Sequence, residues 1–101
     1  MPTVDVPGAK IHYDQFGEGH DVVWVSGGGS LGSDWHKYQM PLFESHFRNT
    51  TYDNRGIGQT TCDEPMPWPL AKFSDDAAAL IEQICEPPVS LVGISFGSAI
   101  V

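Results

Sequence analysis

The chain has 101 residues, of which 41% are hydrophobic, and its thirteen acidic against five basic residues leave a net charge of −8. That apolar content suffices for one globular core, while the acidity repels a phosphate backbone or an anionic membrane surface. Nucleic acid and membrane partners are therefore excluded, and a small neutral or cationic ligand is the favoured kind of partner.

Thr3 to Val6, a Pro7-Gly8 turn and Lys10 to Phe16 read as a hairpin, with Ile11, Tyr13 and Phe16 sharing one side, that ends at Gly17-Glu18-Gly19. Val22-Val23-Trp24-Val25 does not alternate, which suits a parallel strand covered on both faces. A Gly/Ser loop spans Ser26 to Asp34, and a short helix is expected from about Lys37 to Ser45, with Pro41 tolerable in its first turn. Asn49 to Tyr52 is the next strand, closed by Asp53-Asn54-Arg55-Gly56-Ile57-Gly58, and Thr61 to Pro69 reads as a Pro-rich loop. Leu70, Phe73, Ala77, Leu80, Ile81, Ile84 and Cys85 fall at helical spacing, and Pro87-Pro88 stops that helix before a last strand beginning at Val89. A hairpin followed by strand, helix, strand, helix, strand predicts an α/β fold: a parallel sheet with flanking helices. No apolar run approaches the roughly 20 residues of a membrane span. Met1 to His20 is too polar for a signal peptide, so the expected location is cytoplasmic. Without an export signal, Cys62 and Cys85 are expected as free thiols.

Gly93-Ile94-Ser95-Phe96-Gly97 follows the apolar run Val89-Ser90-Leu91-Val92 and fits the G-x-S-x-G turn between a strand and a helix. In that turn small flanking residues let strand and helix approach closely, and the serine hydroxyl is held clear of its neighbours. A serine hydroxyl is a poor nucleophile unaided and needs a histidine base oriented by a carboxylate. Acyl transfer also needs backbone N–H groups aimed at the developing oxyanion, and Ser26-Gly27-Gly28-Gly29 at a strand end together with the N–H of Phe96 can supply them. A competing reading uses the same glycines. Gly27, Gly29 and Gly32 satisfy G-x-G-x-x-G, with Asp53 about 20 residues further on as a dinucleotide site requires. Against it, Ser33-Asp34-Trp35-His36 followed by Pro41 is a poor helix opening, and that reading leaves the serine turn unexplained.

In this order Ile11-His12-Tyr13 with Gly17-Glu18-Gly19, Ser26-Gly27-Gly28-Gly29 with Trp35, Asp53 to Thr60, and Gly93 to Gly97 resemble the amino-terminal part of an α/β-hydrolase over essentially the whole chain. The esterase, lactonase and aminopeptidase branch is the nearest in flavour. The resemblance implies that residues 1–101 are the amino-terminal part of a single α/β-hydrolase domain, incomplete and carrying only part of its sheet. It also implies a small ester, lactone or amide substrate, no cofactor and no metal. Ser95 would be the nucleophile, Gly28 and Phe96 the oxyanion donors, and Asp53 and Arg55 braces for the adjacent loops. Arg55 has a simpler reading as one half of an ion pair with Asp53 or a neighbouring acid, and Trp24 and Trp35 read as packing residues. The family usually carries His-Gly where this chain has Ser26-Gly27, which puts the geometry of that loop in question. The family's acid and histidine follow its serine, but only six residues follow Ser95. The four histidines, His12, His20, His36 and His46, all precede it, His12 as a strand residue and the others as loop or helix-surface residues. Activity is thus expected of a longer form, and the 101 residues alone are expected to be inactive. A hydrolase-like ligand-binding protein is the non-catalytic alternative.

Overall fold

The computed structural model describes residues 2–27, 30–37, 39–62, 68–93, 97 and 100. In chain order the elements are β1 (Thr3–Val6), β2 (Ala9–Phe16), β3 (His20–Val25), a 3-10 turn (Gly32–Trp35), α1 (Met40–Phe43), β4 (Phe47–Tyr52), β5 (Thr61–Cys62), α2 (Leu70–Ile84) and β6 (Val89–Gly93). The sheet runs β1-β2-β4-β3-β6, with β5 paired to β2. The hairpin strand β2 is antiparallel to β4, whereas β3 lies parallel to both β4 and β6. This is the expected mixed arrangement, an amino-terminal hairpin leading into parallel strands with helices between them.

The absence of alternation in β3 has the predicted cause. Val23 and Val25 enter a core shared with Ile11, Tyr52, Ala77 and Leu80, while Val22 and Trp24 point to the opposite face and pack with Met40, Phe43 and Val92. Both faces of β3 exclude water, so an apolar residue is favoured at every position. Helix α2 covers the first face through Phe73, Ala77, Leu80 and Ile84, with Leu80 completely buried. On the second face Val22, Trp24, Phe43, Phe47 and Val92 line an open apolar groove of about 520 Å³. No helix among the described residues is long and apolar enough to cross a membrane.

Several local expectations are corrected. Phe16 does not share a side with Ile11 and Tyr13: an odd-to-even step along a strand reverses the face, and Phe16 packs with Val22 and Trp24 instead. The helix expected over 37–45 shrinks to Met40–Phe43, and the turn before it winds as a 3-10 helix at Gly32–Trp35. Thr61–Cys62, read as the start of a loop, extends the sheet by pairing with Ala9 and Lys10. His20 opens β3 rather than lying in a loop, and its Nε2 meets Ser90 Oγ at 2.8 Å. Cys62 and Cys85 are free thiols.

Candidate functional site

The register Thr51–Trp24–Val92 brings β4, β3 and β6 to a common carboxyl edge. The segments leaving that edge carry the residues singled out above: Ser26 and Gly27 after β3, Asp53 to Thr60 after β4, and Gly97 beyond β6. In an open parallel sheet this edge is where ligands bind, because the loops there are free of the sheet ladder.

Asp53 organises two of these segments. Its Oδ1 accepts the N–H of Gly32 at 2.7 Å and its Oδ2 that of Gln59 at 3.0 Å, while its main-chain carbonyl accepts the Thr60 hydroxyl at 2.6 Å. Thr60 Oγ1 in turn accepts the N–H of His12 at 2.9 Å, tying the loop back to β2. A side chain at position 32 would meet the main chain of Tyr52 at 2.8–2.9 Å, so glycine is required for this approach. Both oxygens of Asp53 are therefore engaged by backbone donors, which removes the acid that dinucleotide binding would direct at a ribose hydroxyl. Asp53 is a brace, as the resemblance implied.

Arg55 forms the ion pair that its simpler reading expected, with Asp76 rather than Asp53. Its Nε and Nη2 donate to the two oxygens of Asp76 on α2, each at 2.7 Å, and Nη2 also donates to the Pro7 carbonyl at 3.1 Å. The guanidinium lies 5.8 Å from the centre of the Trp68 ring. Arg55 and Asp76 are both about 98% buried, so this planar two-point pair joins the loop after β4 to α2 inside the protein. Asp76 was missed because Ser74-Asp75-Asp76 reads as a polar run. Yet position 76 falls three residues after Phe73 and four before Leu80, on the buried stripe, and that was the available signal.

A second buried acid, Asp21, was also missed. It accepts two bonds from Arg48, at 2.6 and 2.8 Å, and the N–H of Glu86 at 2.8 Å. The Arg48 hydrogen bond holds the Asp21 carboxyl below its ordinary value, against the opposing effect of burial. Burial pushes the Cys85 thiol up, and it pushes the Tyr52 hydroxyl well above the usual phenol range.

Ser26 is 2% exposed. Its hydroxyl donates to the Leu31 carbonyl at 3.2 Å and accepts the indole N–H of Trp35 at 3.0 Å. Its main-chain carbonyl accepts Asn54 Nδ2 at 3.3 Å. Trp24 and Trp35 pack against one another with ring centres 5.0 Å apart, as expected, but each also donates a hydrogen bond, Trp24 to Asn49 and Trp35 to Ser26. Residues 97 and 100 are helical. A side chain at position 97 would collide with the main-chain carbonyls of Val25 and Ser26. Ile100 is buried in the core beneath α2, and its carbonyl accepts the Ser74 hydroxyl at 3.1 Å. Ser95, Phe96 and Gly28 lie outside the described residues, as does Gly29.

The histidines make contacts within the sheet and turns. His12 Nε2 is 3.4 Å from Asp14, His36 Nε2 is 2.8 Å from Thr51 Oγ1, and the His46 ring packs edge-on to Phe47. Among the described residues no group of three His, Cys, Asp or Glu side chains is disposed to hold a metal ion.

Residues 22–101 match the alpha/beta hydrolase family. The chain belongs to that family. It is 40% identical over 92 residues to a protein of Mycobacterium tuberculosis named as the non-heme bromoperoxidase BpoC, a match spanning 90% of this chain and 34% of the relative. It is 32% identical over 99 residues to the hydrolase YraK of Bacillus subtilis, spanning 97% of this chain and 36% of the relative. Among solved structures, the epoxide hydrolase VrEH1 of Vigna radiata superposes with a TM-score of 0.87 at 29% identity, over 98% of this chain and 32% of that one. The chain thus spans about a third of the length of the relatives it matches.

Proposed function

We propose that the full-length form of this protein is a serine hydrolase acting on small esters, lactones or amides. Ser95 is the nucleophile, and the N–H groups of Gly28 and Phe96 receive the oxyanion. The observation that carries this reading is the crossing at Gly97. The second glycine of the G-x-S-x-G motif packs directly on the carbonyls that end β3, and it is itself helical, four residues after β6 ends at Gly93. A strand, a forced small residue and a helix in that order are the context in which the motif presents a nucleophile at the carboxyl edge of the sheet. Membership of the hydrolase family supports the same class of chemistry.

In this reading the histidine base and its orienting acid come from chain beyond residue 101. The base takes the Ser95 proton as the hydroxyl attacks the carbonyl carbon, the oxyanion is received by the two N–H groups, and the base returns the proton to the leaving group. Water then repeats the sequence on the acyl-enzyme. The substrate is a small neutral or cationic molecule in the cytosol, since the net charge of −8 disfavours anions.

A fluorophosphonate probe applied to the full-length protein tests the assignment, because an activated serine attacks phosphorus at neutral pH. Labelling at Ser95 that disappears in Ser95→Ala is the expected result. Labelling that persists in that variant removes the nucleophile assignment, and no labelling in the wild type favours the non-catalytic ligand-binding alternative.

A further inference from the structure

Alternation along β2 places His12, Asp14 and Phe16 on one face of the sheet, opposite the face that α2 covers. The register sets Asp14 beside Thr51 of β4. The 3-10 turn with His36 and the pair Gly58-Gln59 complete the walls of a cavity of about 360 Å³ over these strands. That size lies at the lower end of the range for small-molecule sites. Gly32 and Gln59, the backbone donors to Asp53, belong to its wall, but Ser26, Gly27 and Gly97 do not.

The polar groups of the wall suit a positively charged hydrogen-bond donor. Two carboxylates line the cavity, those of Asp14 and Asp53, and among the described residues no lysine or arginine does. Both oxygens of Asp53 are engaged by backbone, whereas the partly exposed Asp14 has only His12 Nε2 near it, 3.4 Å from its Oδ2. His12 itself is 5% exposed. With Nε2 turned to a carboxylate the ring proton belongs on that nitrogen, so Nδ1 is an acceptor. Nδ1 is buried and has no hydrogen-bond partner among the described residues. A buried polar atom left in that state is rare in a folded protein and marks a place where a donor is wanted. The other side of the cavity is apolar. His36 is fixed by Thr51 Oγ1 at 2.8 Å and stands edge-on to Phe16 with ring centres 4.7 Å apart, and the exposed Leu31 lies on the same wall. His12, Asp14 and His36 do not converge as a metal-binding group, so the cation that fits here is organic.

We propose that this cavity binds a compact organic amine, its ammonium on Asp14 and its apolar or aromatic body against Phe16, His36 and Leu31. An ammonium brings three donors and a positive charge, which no alcohol or carboxylate of the same shape supplies. The site is separate from that of the proposed serine chemistry and does not depend on Ser95 being a nucleophile.

Calorimetric titration of the full-length protein with benzylamine tests this, with benzyl alcohol and benzoate as the neutral and anionic counterparts. Saturable binding of one benzylamine is expected, with benzyl alcohol at least roughly fivefold weaker and benzoate not bound. Asp14→Asn keeps the shape of the side chain and should weaken benzylamine roughly 5- to 20-fold, as befits a charge-assisted bond at a partly exposed site. Glu82→Gln, on the exposed side of α2 across the sheet, removes the same charge far from the cavity and should leave affinity within about twofold. The ring signals of His12 and His36 should shift during an NMR titration. Protein phosphonylated at Ser95 should bind benzylamine with unchanged affinity. Should Asp14→Asn not fold, the contrast between amine and alcohol and the two histidine shifts decide the matter in the wild type. Absence of saturation below roughly 10 mM, histidine signals that stay still, equal losses in Asp14→Asn and Glu82→Gln, or loss of binding on phosphonylation each overturn the proposal. A protein that the fluorophosphonate does not label defeats the serine reading instead, and the amine titration still decides this site.

Discussion

The buried pair between Arg55 and Asp76 permits a stability prediction with a definite size. Both side chains are about 98% buried, and the carboxylate accepts two bonds of 2.7 Å from the guanidinium. Unit charges about 4 Å apart at an effective dielectric constant of about 20 attract by about 4 kcal/mol. Truncation in Asp76→Ala removes that attraction together with both charge-assisted bonds, a change that costs about 3–5 kcal/mol at buried pairs. The Pro7 carbonyl, the Cys62 sulfur and the Trp68 ring remain beside Arg55. Asp76→Asn keeps the shape and one acceptor, and should lose about 1.5–3 kcal/mol, the range for a bond to a charged group. Arg55→Lys should also be destabilising, since an ammonium cannot reproduce the planar two-point geometry. Urea unfolding of the full-length variants measures all three. The order should be Ala worse than Asn, and the double variant Asp76→Leu/Arg55→Met should recover much of the loss, because a buried ion pair often tolerates an apolar replacement of similar volume. A cost under about 1 kcal/mol for Asp76→Ala would refute the argument that this pair joins the loop to the helix through an unhydrated charge contact.

Three further outcomes are expected. Gly32→Ala forces a methyl to within 2.8–2.9 Å of the Tyr52 main chain and pulls the Gly32 N–H from Asp53; it should cost about 1–3 kcal/mol in denaturant unfolding, and stability within about 0.5 kcal/mol of wild type would show that the loop yields freely. Because Arg48 lowers the folded-state value of Asp21 beneath its ordinary 3.8, the pair stabilises the fold above that ordinary value and ceases to do so as pH falls through the lowered one. Asp21→Asn should therefore flatten the acid limb of a stability-against-pH curve below about pH 4, and an unchanged limb would remove Asp21 as its source. The 101-residue chain expressed alone should show no ester-hydrolysis burst and should self-associate: β6 lies at the end of the sheet with Leu91 44% exposed, beside the open groove over Trp24 and Val92. Light scattering that reported a dye-negative, sharply melting monomer would contradict this.

Much of the architecture was legible along the chain because its signals are local. The non-alternating run Val22–Val25 announced a strand buried on both faces, the spacing from Leu70 to Ile84 announced α2, and Pro87-Pro88 marked where that helix ends and β6 begins. The small residue demanded at position 97 was likewise readable from G-x-S-x-G. The partners of the polar residues were not. Asp76 looks solvated in a run of polar neighbours, and only the packing of α2 on the sheet turns it inward to meet Arg55, 21 residues earlier. Asp53 could have faced a ligand or a backbone, and the approach of Gly32 and Gln59 decided for the backbone. Ser26 put the geometry of its loop in question, and only the approach of Trp35, Leu31 and Asn54 gave it partners. Hydrophobic periodicity depends on neighbours three or four residues away and survives in one dimension. A hydrogen bond or a buried ion pair depends on which distant segments the sheet register brings together, so its existence is a property of the folded chain alone.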